Sequence, residues 1–223
     1  MASDRPRLAA IDHYIETLFV APDPALADNL RRAKAAGLPA IQVSPSQGKL
    51  LSLLVRMTGA RRVLEIGTLG GYSTTWLARG LDPGGVIVSL ELSPTHAAVA
   101  RESLAAAVSG IEVDVRVGPA ADLLREMASA SEAPFDVVFI DADKPGYETY
   151  LALVMPLVRV GTLILADNVI RDGQVMDDPL PDDNARGARA FNAALAAHPR
   201  LESIVVPILR HTVDGLSISL VVR

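Results

Sequence analysis

Two apolar runs in this chain end abruptly in oxygen-bearing side chains. Phe139-Ile140 leads into Asp141-Ala142-Asp143-Lys144, and Leu165-Ala166 leads into Asp167-Asn168. Buried parallel strands end this way where an open α/β sheet collects its ligands, at the carboxyl edge. Asp141, Asp167 and Asn168 offer two carboxylates and an amide, the oxygen donors that a hard divalent cation prefers. Histidine and cysteine are missing from the set, which argues against zinc. Magnesium held by three protein groups keeps coordination positions for substrate oxygens and water. Lys144 lies one turn from Asp141 and is a candidate general base. A base lysine must be neutral when it takes its proton: a dication and burial favour that form, whereas Asp141 and Asp143 oppose it. Asp143 reads as a supporting group or a substrate-orienting one.

A second constellation precedes this one. Val63-Leu64-Glu65-Ile66-Gly67-Thr68-Leu69-Gly70-Gly71-Tyr72-Ser73 reads as a strand, a glycine-rich turn and a helix start. A dinucleotide fingerprint would need glycine at 69 and 72, where Leu69 and Tyr72 stand, so a pyrophosphate cradle is poorly matched. What remains is a tight turn with Glu65 at the strand end, and a carboxylate suits a cationic group better than a phosphate. The next strand ends in Glu91, the place from which an acid accepts hydrogen bonds from ribose hydroxyls. A nucleoside carrying an amine fits both features, and S-adenosylmethionine is such a molecule.

The elements that must position these groups follow from the apolar pattern. Short strands are expected at Arg62–Ile66, Val86–Glu91, Val113–Val117, Phe135–Asp141, Thr162–Asp167, Ser203–Ile208 and Leu216–Val222. Helical stretches such as Pro94–Val108, Ala120–Met127 and Tyr147–Val158 lie between them. This alternation predicts a mostly parallel sheet with helices on both faces. His211-Thr-Val-Asp-Gly215 is too short for a helical crossover, so the last two strands should form an antiparallel hairpin. Three helices precede the first strand: Leu8–Phe19, Pro24–Ala36 and Pro45–Met57. Asp23 and Ser44 are their plausible N-caps, each followed by proline at the first helical position. These helices either cover the site or mediate dimerisation. Ile170–Asp183 is a long irregular segment beside the Asp167-Asn168 pair and reads as a substrate rim.

Bulk properties bound the partners. The chain has 223 residues, half of them apolar, a formal charge of −5 and no cysteine. It carries no basic stripe for nucleic acid or an anionic membrane. The opening Met1–Arg7 lacks the apolar region of a signal peptide, and no apolar run reaches membrane-spanning length, so a cytoplasmic protein is expected. Lys144 is one of only three lysines, against eighteen arginines. His13, His96, His198 and His211 share no spacing and read as solvated or core residues. Trp76 reads as packing, and Tyr147 and Tyr150 as either packing or acceptor-pocket residues.

Taken in order, Gln42-Val43-Ser44, Glu65–Ser73, Glu91, Gly118-Pro119-Ala120, Asp141–Lys144, Gly161–Asn168 and Val213–Leu216 resemble the motifs of the cation-dependent class I O-methyltransferases. That family includes the catechol and caffeoyl-CoA O-methyltransferases, and the resemblance runs from about Ile41 to the C-terminus. It implies one domain over 1–223, with N-terminal helices in 1–58 and a Rossmann-like core in 59–223. The core would be a seven-stranded sheet whose last strand is antiparallel. It further implies that Val43 contacts S-adenosylmethionine through its backbone and that Glu65, Gly67, Thr68 and Ser73 hold the methionine portion. Glu91 would bind the ribose, Ala120 would lie against adenine, and Asp141 would border the cofactor. Asp141, Asp167 and Asn168 would ligate Mg2+ (or Mn2+ or Ca2+), with Lys144 as base, and the assembly would be a homodimer. Departures concern the acceptor. Ala120 replaces a hydroxyl residue and Leu69 an aromatic one of the animal enzymes. Val169-Ile170-Arg171 lacks the tryptophan of plant relatives, and Glu202 is a weak match for the animal enzymes' substrate-facing glutamate.

Methyl transfer from a sulfonium to a phenolic oxygen needs an aligned oxyanion. Chelation of a vicinal diol by a dication both acidifies and positions the attacking hydroxyl. The expected activity is therefore metal-dependent O-methylation of a small aromatic diol, with no nucleic acid or membrane partner. The rivals are a tRNA hydroxyuridine O-methyltransferase of the same fold, a nicotinamide-dependent oxidoreductase, disfavoured by the broken fingerprint, and a silent binding protein whose ligands would all be idle.

Overall fold

The computed structural model describes residues 5–210 and 212–223, with the side chain of Arg5 omitted; Met1–Asp4 and His211 lie outside the described residues. Three helices come first, α1 (Arg5–Phe19), α2 (Pro24–Ala35) and α3 (Pro45–Met57). The caps act as their residue types dictate. Asp23 accepts from the N–H groups of Ala25 and Leu26 at 2.9 and 3.1 Å, and Ser44 Oγ from Gln47 N–H at 3.2 Å. Both satisfy donors that a helix start leaves unpaired.

The core then alternates: β1 (Arg62–Ile66), α4 (Tyr72–Gly80), β2 (Val86–Glu91), α5 (Pro94–Ala107), β3 (Glu112–Val117), α6 (Ala120–Ser129), β4 (Phe135–Ile140), α7 (Tyr147–Val154), β5 (Val158–Ala166), α8 (Asp183–Ala197), β6 (Leu201–Leu209) and β7 (Val213–Val221). The strands form one sheet in the order β3-β2-β1-β4-β5-β7-β6. β1 to β5 run parallel, and β7 pairs antiparallel with both β5 and β6. The expected hairpin is therefore present, closing at the Leu209↔Val213 pair, and it is longer at its turn than the apolar runs indicated.

Strand alternation sorts the core into two faces. Leu64, Ile66, Val138, Ile140 and Ile164 pack with Tyr147, Leu151 and Phe191 of α7 and α8. Val63, Val137, Phe139 and Leu165 pack with Leu51, Val55, Trp76 and Leu77 of α3 and α4. Trp76 is thus a packing residue. Glu65 falls on the α4 side by the same alternation, a carboxylate placed among core side chains.

Differences from the expected boundaries have local causes. β5 begins at Val158 because Thr162 Oγ1 donates to Phe135 O and accepts from Arg159 N–H, extending the ladder across the irregular register at Phe135/Val137. α7 gives way to a 3-10 turn at Met155–Leu157, where Pro156 ends the α-helical pattern. The rim segment is organised by a 3-10 turn over Arg171–Met176, and Asp182 caps α8 by accepting from Ala185 N–H at 2.7 Å.

Candidate active site

The sheet order reverses between β1 and β4: β2 and β3 lie on one side of β1, β4 and β5 on the other. A crevice opens at such a switch point, outside the carboxyl ends of the strands. A cavity of about 660 Å³ occupies it, walled by Val43, the Gly67–Leu69 turn, Ser73, Glu91, His96, Ala120, Asp141–Lys144, Tyr150, Asn168, Arg171 and Asn184, among others.

Gly67 is the pivot. Its φ is +98°, and a Cβ built there would lie 2.1 Å from the carbonyl oxygen of Asp141. Only glycine lets the β1 turn approach the end of β4 so closely. Gly67 N–H donates to Leu90 O and Asp141 N–H to Ile66 O, both at 2.9 Å, tying three strand ends together. Glu91 secures the turn from the side. One carboxylate oxygen accepts from Thr68 N–H (3.2 Å) and Leu69 N–H (2.8 Å), the other from Ser93 N–H (2.9 Å). Leu69 holds φ +48° in this arrangement. His96 Nδ1 lies 3.4 Å from Glu91, on the cavity wall; the sequence reading had grouped it with the solvated or core histidines.

Glu65 is fully buried and does not line the cavity. Its carboxylate accepts from Ser73 Oγ and Ser89 Oγ, each at 2.6 Å, and from Thr74 Oγ1. Burial pushes its carboxyl up to about 7, against the pull of the three hydroxyls; the charge of Asp141 raises it further. Its structural action is to orient Ser73, which does face the cavity.

Strand register sets the residues that carry the oxygen donors side by side. Ile140 and Ala166 are paired residues of adjacent parallel strands, so Asp141 and Asp167, the next residues, project from neighbouring strand tips roughly 5 Å apart in the ladder direction. Asp167 N–H donates to Ile140 O at 3.0 Å. Asp167 is 2% exposed, and its carboxyl is pushed up to about 7, first by burial and then by the negative charge of Asp141. Asn168 adopts φ +56°, a left-handed conformation that asparagine tolerates, which turns its side chain back to the cavity.

Asp214, at the β6–β7 hairpin, completes the geometry. One of its oxygens accepts from Ile170, Arg171 and Gly215 N–H groups at 3.1, 2.8 and 2.8 Å. The other accepts from the Asn168 amide nitrogen at 3.2 Å, which leaves the Asn168 carbonyl oxygen for a ligand. Asp214 contributed to the recognised motifs but had no role assigned. The signal that could have found it is an Asp-Gly pair whose acid exceeds the needs of a turn.

Lys144 is 6% exposed and lines the same cavity. Its Nζ donates to Asp141 Oδ1 at 3.1 Å and to the Tyr147 hydroxyl at 2.6 Å. Tyr147 is fully buried, with its hydroxyl 3.1 Å from Ile140 O and 3.0 Å from Asp167 O, so it braces the lysine from behind and does not face the acceptor. Burial, then the charge of Asp141, raises its phenol well above the usual range. Tyr150 does line the cavity, and its hydroxyl donates to Asp143 Oδ1 at 2.5 Å. Glu202 lies on edge strand β6, outside the cavity wall.

These residues fit a divalent cation. Two carboxylates, one of them buried, repel each other, and Lys144 is the neighbouring positive charge that offsets them. Among the described residues no three His, Cys, Asp or Glu side chains converge on a common centre, so any oxygen-donor set here draws on the Asn168 amide beside the two carboxylates. Hard oxygen donors with open positions suit magnesium or manganese.

Comparison with known proteins identifies the family. The profile of the O-methyltransferase family matches residues 19–221. The catechol O-methyltransferase of Niastella koreensis is 43% identical over 213 residues, covering 95% of this chain and 96% of the relative. That of Mycobacterium tuberculosis is 44% identical, covering 97% of each. An O-methyltransferase from Bacillus cereus, solved in complex with SAH, superposes with a TM-score of 0.93 at 42% identity, over 97% of this chain and 99% of that one. A match of this extent, on a chain whose strand tips carry the expected groups, makes the protein a member of the O-methyltransferase family.

Proposed function

We propose that this chain transfers a methyl group from S-adenosylmethionine to one hydroxyl of a small catechol-type aromatic acceptor, with a divalent cation, Mg2+ foremost, at Asp141, Asp167 and Asn168. The observation that carries this reading is the register pairing of Ile140 with Ala166, which sets Asp141, on the cavity wall beside Lys144, next to Asp167, which lies buried behind the wall. SAH, held by the Bacillus cereus relative, is the demethylated form of S-adenosylmethionine, and the catechol names of two relatives favour a small diol over a tRNA acceptor.

Val43, Gly67, Thr68 and Ser73 would hold the methionine portion of the donor, with Glu65 acting through Ser73; Glu91 would take the ribose and Ala120 the adenine. When bound, the cation supplies Lewis acidity and a template for two vicinal oxygens. Lys144, in its neutral form, accepts the proton of the attacking hydroxyl. Once charged, its ammonium is held by Asp141 and the Tyr147 hydroxyl, which leaves a third N–H directed to the cavity. Asp214 keeps the Asn168 carbonyl facing the donor set. Tyr150 and Asp143 brace each other at the acceptor side. The same reading makes the protein a cytoplasmic homodimer.

The test is a panel of catechols, flavonoids and hydroxycinnamates with labelled methyl donor, run with magnesium and with chelator. Label should enter a diol only with the metal present. Transfer undiminished by chelation would sink the metal mechanism and leave the fold standing.

A further inference from the structure

We infer that Arg171 forms a subsite for a carboxylate carried by the acceptor ring, so that the preferred acceptors are anionic catechols. This rests on the catechol reading above and narrows it.

Arg171 sits three residues beyond Asn168 and lines the same cavity. Its backbone is locked: the N–H donates to Asp214 at 2.8 Å, and φ is +54°. The origin of its side chain is therefore fixed by the residue that also orients the Asn168 amide. The guanidinium has little to hold it. Its Nε is buried with no hydrogen-bond partner among the described residues, and its ion pair with Asp182 spans 3.7 Å to a carboxylate that is 45% exposed. The protein therefore leaves the hydrogen-bonding capacity of this guanidinium incompletely used, with only a long, solvent-exposed ion pair to hold it.

The other charges on the wall sharpen the point. Glu91, Asp141 and Asp143 are acidic, and the ammonium of Lys144 is engaged by Asp141 and Tyr147. An anionic substituent is thus disfavoured beside those three acids and attracted at Arg171. A planar guanidinium meets a carboxylate with two parallel N–H bonds, which also fixes the orientation of a flat ring. Asn184, in the first turn of α8, borders the same stretch and offers an amide donor. A cavity of about 660 Å³ that must also take the methyl donor has space for a small acid beside it.

The experiment compares 3,4-dihydroxybenzoate with 3,4-dihydroxybenzamide, rings of the same shape that differ in charge. In the wild type, kcat/KM should favour the acid by about tenfold or more, chiefly through KM, as expected for a charge-assisted hydrogen bond. The acid-to-amide ratio should fall to about one in Arg171→Gln and stay intermediate in Arg171→Lys, which keeps the charge and loses the planar fork. Using the ratio cancels any general loss of activity. A wild-type ratio near one overturns the subsite even if neither variant folds, as does a ratio that survives Arg171→Gln. Both results leave the catechol reading intact; absence of turnover with either ring overturns both.

Discussion

At the scale of single residues, Asp214 and Lys144 support the site in separable ways. Asp214 touches no proposed ligand and yet fixes the Asn168 amide and the 170–171 backbone. Supporting groups of this kind typically govern metal affinity by about 10–100-fold. Asp214→Ala should weaken Mn2+ binding by roughly that factor while leaving S-adenosylhomocysteine affinity near wild type, both read by calorimetry. Equal losses for both ligands would mean a general collapse. Lys144→Met should lower kcat by about 10²–10⁴ with little change in cofactor affinity, and turnover near wild type at every pH would remove its role as base. Glu65 gives a pH signature. Its carboxyl, ordinarily near 4.5, sits at about 7 in the fold because of burial. A folded-state value above the unfolded one contributes stability that is complete below about 4.5 and lost as pH rises through about 7. The difference in unfolding free energy between wild type and Glu65→Gln should therefore shift against the wild type by about 3 kcal/mol across that window in urea titrations without cofactor. A pH-independent difference would show that Glu65 ionises as freely in the fold as outside it.

Among the elements, close backbone approaches do the positioning. A Cβ on Gly187 of α8 would lie 2.4 Å from the carbonyl oxygen of Lys144, so α8 presses directly on the loop that bears the lysine. Gly187→Ala should displace that loop and lower kcat by about tenfold or more while KM for the cofactor holds, because misplacing a catalytic group by even 1 Å costs on the order of 10² in rate. Steady-state kinetics with the donor varied separates the two, and an unchanged kcat would show that the loop tolerates the shift. The legibility of the sequence followed the same divide between local and distant causes. β1, β2 and α3 have the expected bounds because caps, proline and short runs of Val, Leu and Ile act locally. α8 is hard to read from sequence because half of its buried side is alanine, Ala185 and Ala188 beside Phe191 and Leu195, which weakens the apolar contrast. Asp141, Asp167 and Asn168 stand out in the sequence at two strand ends, whereas the bond from Asp214 to Asn168 joins positions far apart in the chain and has no local trace. His96 escaped for a related reason: its relation to the site runs through Glu91 on the preceding strand.

For the whole molecule, the sheet order sets where the crevice lies, and the surface carries an apolar area that bears on the proposed dimer. The donor turn follows β1 and the first carboxylate follows β4, the two strands that flank the reversal, so the topology itself places donor and acceptor in one crevice. Tyr14, Leu18 and Phe19 of α1 and Ile204 of edge strand β6 are well exposed, and α1 lies against β6. An apolar edge strand beside an apolar helix face is a liability that association covers. Sedimentation should show a dimer for the wild type and a shift to monomer in a Phe19→Glu, Ile204→Glu double variant; a monomeric wild type would refute the homodimer. The claim beneath all of this is that Asp141, Asp167 and Asn168 hold one divalent ion. Electron paramagnetic resonance of added Mn2+ tests it without any assumption about acceptor or turnover. One ion should bind per chain in the wild type, with binding abolished in Asp167→Asn and displaced by Mg2+. Failure of the wild type to bind Mn2+, or binding that Asp167→Asn leaves unchanged, would contradict the account.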